Sequence, residues 1–205
     1  MTIHQLKAAA EAVVLVVTDP PDPLADFTRR FGFKRVLSSG TFLDSLRLRF
    51  HLAQRLNVDL HSVGAQVLGE HGTSEVLLWS GARVGGAPVL SVLGWSEQER
   101  DEVRRGIERE VRYANITIIE GNQASQYGIG MVSARIVEAV LFDERVGIPI
   151  GSFNPKYGVT LSLPSILGRE GVVQVLEPEM SEQERGALQR SADALRSAFA
   201  RIDSL

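Results

Sequence analysis

The sequence predicts an α/β protein in which a short parallel strand–helix–strand opening gives way to a mixed α+β body. Three observations predict it. Two short Val-containing runs flank an amphipathic segment near the start. Long helical periods with capping signals fill the middle and the end. Late in the chain, strand-like runs are divided by glycine and proline. The 205 residues are 44% hydrophobic and 23% charged, enough for one large domain or two small ones. Without cysteine there are no disulfides, thiolate metal sites or cysteine nucleophile. A net charge of -3 offers no basic footprint for nucleic acid.

Ala12–Val17 (AVVLVV) is a continuous apolar run stopped by Thr18-Asp19-Pro20-Pro21, the pattern of a strand buried on both faces. A helix over Ile3 to Glu11, or a partner subunit, is expected to cover this strand. Leu24, Phe27 and Phe31 mark a short helix, and Lys34–Leu37 a second strand that must run parallel to the first. A long helix is predicted over Phe42–Leu56, with Leu43, Leu46, Phe50 and Ala53 as its apolar stripe. Val63–Leu68 and Val76–Trp79 read as strands, and Val84–Leu93 as loop or short extended pieces. Ser96 and Glu99 form a capping box that opens a helix to about Tyr113. Ser125–Phe142 reads as one buried helix. Val146–Phe153, Val159–Leu163 and Val172–Leu176 read as antiparallel strands, and Ser181 with Glu184 opens a last helix. The apolar stretch Ala8–Val17 is interrupted by Glu11 and too short for a bilayer, and no basic segment with a cleavage site opens the chain. A cytoplasmic protein without a membrane or nucleic-acid partner is expected.

The chemically informative stretch runs from Ser39 to Trp79. Asp44 and Arg47, three apart on a helix, share a face. His71 lies between Gly69 and Gly72, where the backbone can bend sharply after a strand. A histidine oriented by a carboxylate, with an arginine nearby, makes an acid–base site for a substrate that carries a carboxylate. The bland readings are a structural turn histidine and an ordinary surface ion pair. His4, His51 and His61 have no such neighbours in sequence, and no cluster has metal-ligand spacing, so no metal is expected. The alternating Arg and Glu residues between Arg100 and Arg112 read as a solvated helix face.

SGTFLDSLRLRF and LGEHGTSEVLLWS resemble the two signature segments of the L-lactate dehydrogenase family, in that family's order and separation. VVTDPPDPL, ASQYGIG and LSLPSILGREGV extend the resemblance over nearly the whole chain. It implies a lactate dehydrogenase C-terminal-like catalytic domain over residues 41–205, preceded over 1–40 by a remnant of a parallel Rossmann sheet. It implies NAD-dependent interconversion of a short L-2-hydroxy acid and its 2-oxo acid. His71 would move the proton and Asp44 support it. Arg47 would anchor the substrate carboxylate, with Ser125 and Asp19 beside the substrate. Ser39, Leu43, Ile129 and Thr18 would face the nicotinamide end of NAD. Dimers or tetramers would be the expected assembly.

Several positions depart from the family pattern. The glycine-rich turn that holds the dinucleotide and the loop that closes over substrate are expected to be missing ahead of Val13. Gly128-x-Gly130-x-x-Ser133 lies in a helical pattern and reads as close helix packing instead. Asp19 replaces an asparagine whose amide would donate. An ionised aspartate only accepts, although it could also cap the following helix. Thr73 stands where aspartate is common. Arg49 matches an arginine of family members activated by fructose 1,6-bisphosphate, but Gly64 replaces the accompanying histidine. The alternative function is therefore a truncated, catalytically impaired member that serves as an oligomerising or partner-binding domain.

Overall fold

The structure is a computed structural model that describes residues 11–92, 96–122 and 126–203. The helix expected over Ile3–Glu11 falls, except for Glu11, outside the described residues, as does Ser125. The opening is the predicted parallel unit. Strand β1 (Val13–Val16), helix α1 (Pro21–Arg29) and strand β2 (Arg35–Ser38) form it, with Val13 opposite Arg35 and Val16 opposite Ser38. A sharp stop after β1 follows from the two prolines. Pro21 then suits the first helical turn, where its missing N–H has no partner to lose. Pro20 is the residue before the helix and no side chain caps it, so the capping reading of Asp19 does not hold.

Helix α2 (Phe42–Leu56) has the predicted bounds and ends on Asn57 in the left-handed conformation, φ 52°. Its buried face differs from the predicted stripe. Phe42, Leu48, Leu52 and Ala53 are buried, whereas Phe50 is 50% exposed. The helix is clasped from several sides, so no single stripe describes it. Leu48, Leu52 and Ala53 enter one core cluster with Ile107 and Val111, while Phe42 enters another with Val132, Ile136 and Ile150.

The strand expected over Val63–Leu68 is broken into β3 (Val63–Gly64) and β4 (Val67–Leu68), and β5 (Val76–Leu77) pairs with β4. The stretch expected as loop or short extended pieces holds two such pieces, β6 (Arg83–Val84) and β7 (Ala87–Pro88), and a short helix that was not expected, α3 (Val89–Val92). Helix α4 (Glu97–Arg112) starts with the predicted capping box. Helix α5 (Ala114–Asn122) was not anticipated, and α6 (Tyr127–Leu141) follows. Gly128 of α6 lies where a Cβ would stand 3.2 Å from the Leu43 methyls, so close packing accounts for this glycine, whereas Gly130 faces open space and the packing reading does not extend to it. Strands β8 (Val146–Asn154), β9 (Val159–Gly168) and β10 (Gly171–Val175) are antiparallel, and α7 (Glu182–Asp203) closes the chain behind the Ser181–Glu184 box.

Among the described residues the main sheet runs β1-β2-β8-β9-β10. Antiparallel pairing of β2 with β8 joins the parallel opening to the later strands without a break. Ser162 on β9 fixes both site-bearing segments to this sheet. Its Oγ accepts from the Thr41 N–H at 3.0 Å, at the start of α2. Its backbone exchanges two 2.9 Å hydrogen bonds with Gly69, just before His71. Gly69 has φ 85°, and a Cβ there would meet the Ser191 Oγ of α7 at 2.5 Å, so no other residue fits both the conformation and the space. No helix among the described residues is long and apolar enough to cross a membrane.

Candidate active site

The sheet and α2 bring Asp44, Arg47 and His71 together. His71 Nδ1 lies 2.6 Å from Asp44 Oδ2, and Arg47 Nη1 donates to Asp44 Oδ1 at 2.8 Å. Asp44 is 1% exposed, so this carboxylate acts where water competes little. It is neither a surface ion pair nor a lone turn histidine. Asp44 consumes both oxygens on the two cationic partners and leaves His71 Nε2 pointing away from it.

The loop carrying His71 is tied down on both sides. Asp22 in the first turn of α1 accepts the His71 backbone N–H at 2.9 Å with one oxygen and the Ser38 hydroxyl with the other. Glu70 N–H donates to Ser191 Oγ at 2.9 Å, and Ser74 bonds to both Glu70 and Ser191. The imidazole position is thus set by α1, β2 and α7, not by the loop alone.

Asp19 Oδ1 lies 3.9 Å from His71 Nε2, at the rim of the site, with its side chain 77% exposed. Thr18 is exposed just beyond β1, and Ser39 is buried just beyond β2, its N–H donating to Val16 O at 2.9 Å. Leu43 and Ile129 are half-buried, Leu43 against Gly128 and Ile129 one residue further along α6. His51 meets Glu110 at 3.0 Å and His61 meets Asp59 at 2.9 Å, so each has a carboxylate neighbour that the sequence did not suggest. Arg49 donates to Ala65 O at 2.9 Å.

Three residues join the site without having been singled out for it. Asp22 is one. Asn115 on α5 is another: its Oδ1 accepts from Arg47 Nη2 at 2.7 Å, and its Nδ2 lies 3.1 Å from His71 Nε2. The third is Glu75, buried, with Oε1 lacking a hydrogen-bond partner and its backbone oxygen accepting from Arg112 at 3.2 Å. No sequence signal marks Asn115, which sits in a stretch without clear periodicity. Glu75 follows His71 by four residues, but nothing in that spacing announces a buried acid.

Charge and burial shift three groups. Burial would push the His71 imidazolium down, but the hydrogen bond and charge of Asp44, helped by Asp19 and Glu75, raise it from 6.5 to about 9. Burial raises Asp22 from 3.8 to about 6, against its hydrogen bonds to Ser38 and His71. Burial, then the Asp44 charge, raise Glu75 from 4.5 to about 8. Asp44, His71 and Glu75 offer ligand atoms within 4.8 Å of one another. Both oxygens of Asp44 are already engaged and Arg47 supplies the positive charge, so the set is accounted for as an ion-pair cluster.

The signs of these shifts give one expectation. A folded-state pKa above the unfolded value means that the folded chain keeps a proton the unfolded chain has released, so stability falls as pH rises between the two values. For Glu75 that window is 4.5 to about 8. Asp22 adds to the fall between 3.8 and about 6, and His71 between 6.5 and about 9. Glu75→Gln keeps the shape without the ionisation. Thermal unfolding compared at roughly pH 5 and pH 8 should show the native chain losing more stability than the variant. Equal losses would contradict a buried, proton-holding Glu75.

The profile of the lactate/malate dehydrogenase α/β C-terminal domain matches residues 41–204. The chain is 44% identical over 196 residues to an L-lactate dehydrogenase of Deinococcus radiodurans, covering 93% of this chain and 63% of that protein. It is 44% identical over 203 residues to an L-lactate dehydrogenase of Thermus aquaticus, covering 94% of this chain and 65% of that protein. The crystal structure of a minor L-lactate dehydrogenase from Enterococcus mundtii, in a ligand-bound form, matches with a TM-score of 0.90 at 30% identity, covering 98% of this chain and 66% of that one. The chain therefore spans 63% and 65% of the length of the two curated relatives. With the domain profile matched across most of its residues, and the same fold in a solved relative, the chain belongs to the lactate/malate dehydrogenase family.

Proposed function

We propose that this chain carries the catalytic part of an L-lactate dehydrogenase-like oxidoreductase, interconverting a short L-2-hydroxy acid and its 2-oxo acid with NAD. The observation that carries this reading is the buried Asp44 carboxylate holding His71 at 2.6 Å and Arg47 at 2.8 Å. Asp44 fixes the imidazole with Nδ1 inward and stabilises its charged form, so Nε2 serves as the proton-transfer atom. In the reducing direction Nε2–H gives its proton to the oxo oxygen, and in the oxidising direction Nε2 takes the hydroxyl proton. Arg47 binds the substrate carboxylate through a planar fork, which a lysine cannot copy. Ser125, outside the described residues, belongs to the same proposed substrate set. Asp19, an acceptor only, supports the charged imidazole at the rim instead of donating to substrate.

The residues of this chain would meet NAD at its nicotinamide end. Ligands of open parallel sheets bind beyond the carboxyl ends of the strands. Thr18 and Ser39 follow the carboxyl ends of β1 and β2, and Asp19, the residue after Thr18, has its carboxylate 3.9 Å from His71 Nε2. Thr18, Ser39, Leu43 and Ile129 would hold that end, and the bound nicotinamide supplies or accepts the hydride. Residues 1–40 then form the Rossmann portion and residues 41–205 the catalytic domain, in a cytoplasmic protein. The test is oxidation of L-lactate with NAD by the chain. NADH formation from L-lactate and none from D-lactate is expected. No turnover of any short L-2-hydroxy acid would overturn the reading.

A second reading, a catalytically impaired member that assembles with copies of itself, is favoured by one observation. Helix α6 leaves Tyr127 and Met131 largely exposed, and Leu141 with the adjoining Phe142 at its far end. Apolar residues so placed are suited to a subunit contact. Light scattering should give a dimer or tetramer, and a monomer at high concentration would contradict assembly.

A further inference from the structure

We propose that Asn115 is a positioning residue that couples occupation of Arg47 to protonation of His71. Its amide takes a substrate carboxylate's place on the guanidinium and, by donating to His71 Nε2, favours the neutral ring over the charged one until substrate displaces it. This rests on the dehydrogenase reading for the identity of the displacing ligand, but not for the coupling itself.

A guanidinium only donates, so the amide atom 2.7 Å from Arg47 Nη2 must be the oxygen. That leaves the NH2 group 3.1 Å from His71 Nε2. An NH2 group can only donate there, so Nε2 must be the bare nitrogen and the ring proton must sit on Nδ1, facing Asp44. A protonated imidazole would present a second donor to the amide and break one of the two contacts. Rotating the amide would satisfy His71 and set its NH2 against Arg47. Asn115 can serve Arg47 or a charged His71, but not both.

The other groups around His71 oppose this. Asp44 from α2, Asp19 from the turn before α1, and Glu75 from the loop before β5 favour the charged ring. Asp22 from α1 accepts the His71 N–H, and Glu70 lies nearby on the loop. Arg47 on α2 and Arg112 on α4 are the cations of the cluster. Asn115 is thus set against a mainly acidic surround, at the one ring nitrogen a substrate needs. A ligand that supplies an anion to Arg47 Nη2 frees the amide and lets Nε2 protonate. A 2-oxo carboxylate does this and then accepts that proton's hydrogen bond with its oxo oxygen. A plain carboxylate such as acetate does only the first.

The experiment is an imidazole NMR pH titration of His71 in the full chain, with the native residue, Asn115→Ala and Asn115→Asp, each alone and with pyruvate or acetate. Loss of one hydrogen bond to the neutral ring should raise the His71 pKa in Asn115→Ala by about half a unit to one unit. Asn115→Asp keeps the shape, adds an anion and should raise it further. Pyruvate should raise the native His71 pKa more than acetate does, and should raise it less in Asn115→Ala, because the amide is already gone. A His71 pKa in both variants equal to or below the native value would overturn the coupling. Should the variants shift as expected while pyruvate moves His71 in none of the proteins, the coupling stands and the dehydrogenase reading fails.

Discussion

Asp44→Asn is expected to lower turnover of a 2-oxo acid about 10²- to 10⁴-fold while leaving the fold intact. The substitution keeps the shape of a side chain that is only 1% exposed. It removes the charge that opposes the desolvation of His71. Asp44 is the main reason that the imidazole sits at about 9 instead of below 6.5, so the variant's His71 should lose its proton well below neutrality. The amide can also turn its NH2 group toward Nδ1 and favour the wrong tautomer. Arg47 loses the partner of its Nη1 at the same time. Steady-state rates across pH separate these effects: the loss should be smallest at acid pH, where the ring is protonated without help. An undiminished rate at neutral pH would remove Asp44 from the mechanism.

Arg47→Lys should act on binding more than on chemistry. A lysine ammonium retains the charge and can still reach Asp44, but it cannot hold Asp44 with one nitrogen and present a second to an incoming carboxylate. Losing one charge-assisted hydrogen bond to substrate corresponds to about 2 kcal/mol, or roughly 30-fold in affinity. The KM for pyruvate should rise by that factor with a smaller change in kcat. Arg47 also bonds to the Asn115 oxygen at 2.7 Å, so the variant frees that amide as well. An unchanged KM would mean that the carboxylate is held elsewhere.

Much of the frame was legible because it rests on local rules. Prolines ended β1, capping boxes opened α4 and α7, and glycine and proline divided the late strands. The ends of α2 were readable, but not its buried face. Phe50 has the composition of a core residue, yet the packing of α4 and the sheet leaves it half exposed while Leu48 and Leu52 are enclosed. Helix α5 was missed because its apolar residues mark no single face: Ile116 and Ile119 lie on one exposed side, and Ile118 is turned away from them and half-buried. The core of the site was legible for a different reason. Asp44 and Arg47 are neighbours on one helix, and His71 lies on a glycine-flanked turn within a recognisable segment. Asn115, Asp22 and Glu75 were not singled out for the site, because the contacts that matter are tertiary. Asn115 meets His71 across 44 positions of chain and Asp22 meets it across 49. Glu75 is close in sequence, but its raised pKa comes from the enclosure by several elements.

In the proposed 2-hydroxy acid dehydrogenase reaction, His71, held by Asp44, is the group that moves the proton. The pH–rate profile of pyruvate reduction with NADH, measured for the chain and for His71→Asn, tests it most directly. The expected result is a rate that falls at alkaline pH as a single group near 9 loses its proton, and a variant that is slower by at least about 10²-fold and lacks that fall. Equal rates in the two proteins, or the same alkaline fall in both, would contradict it.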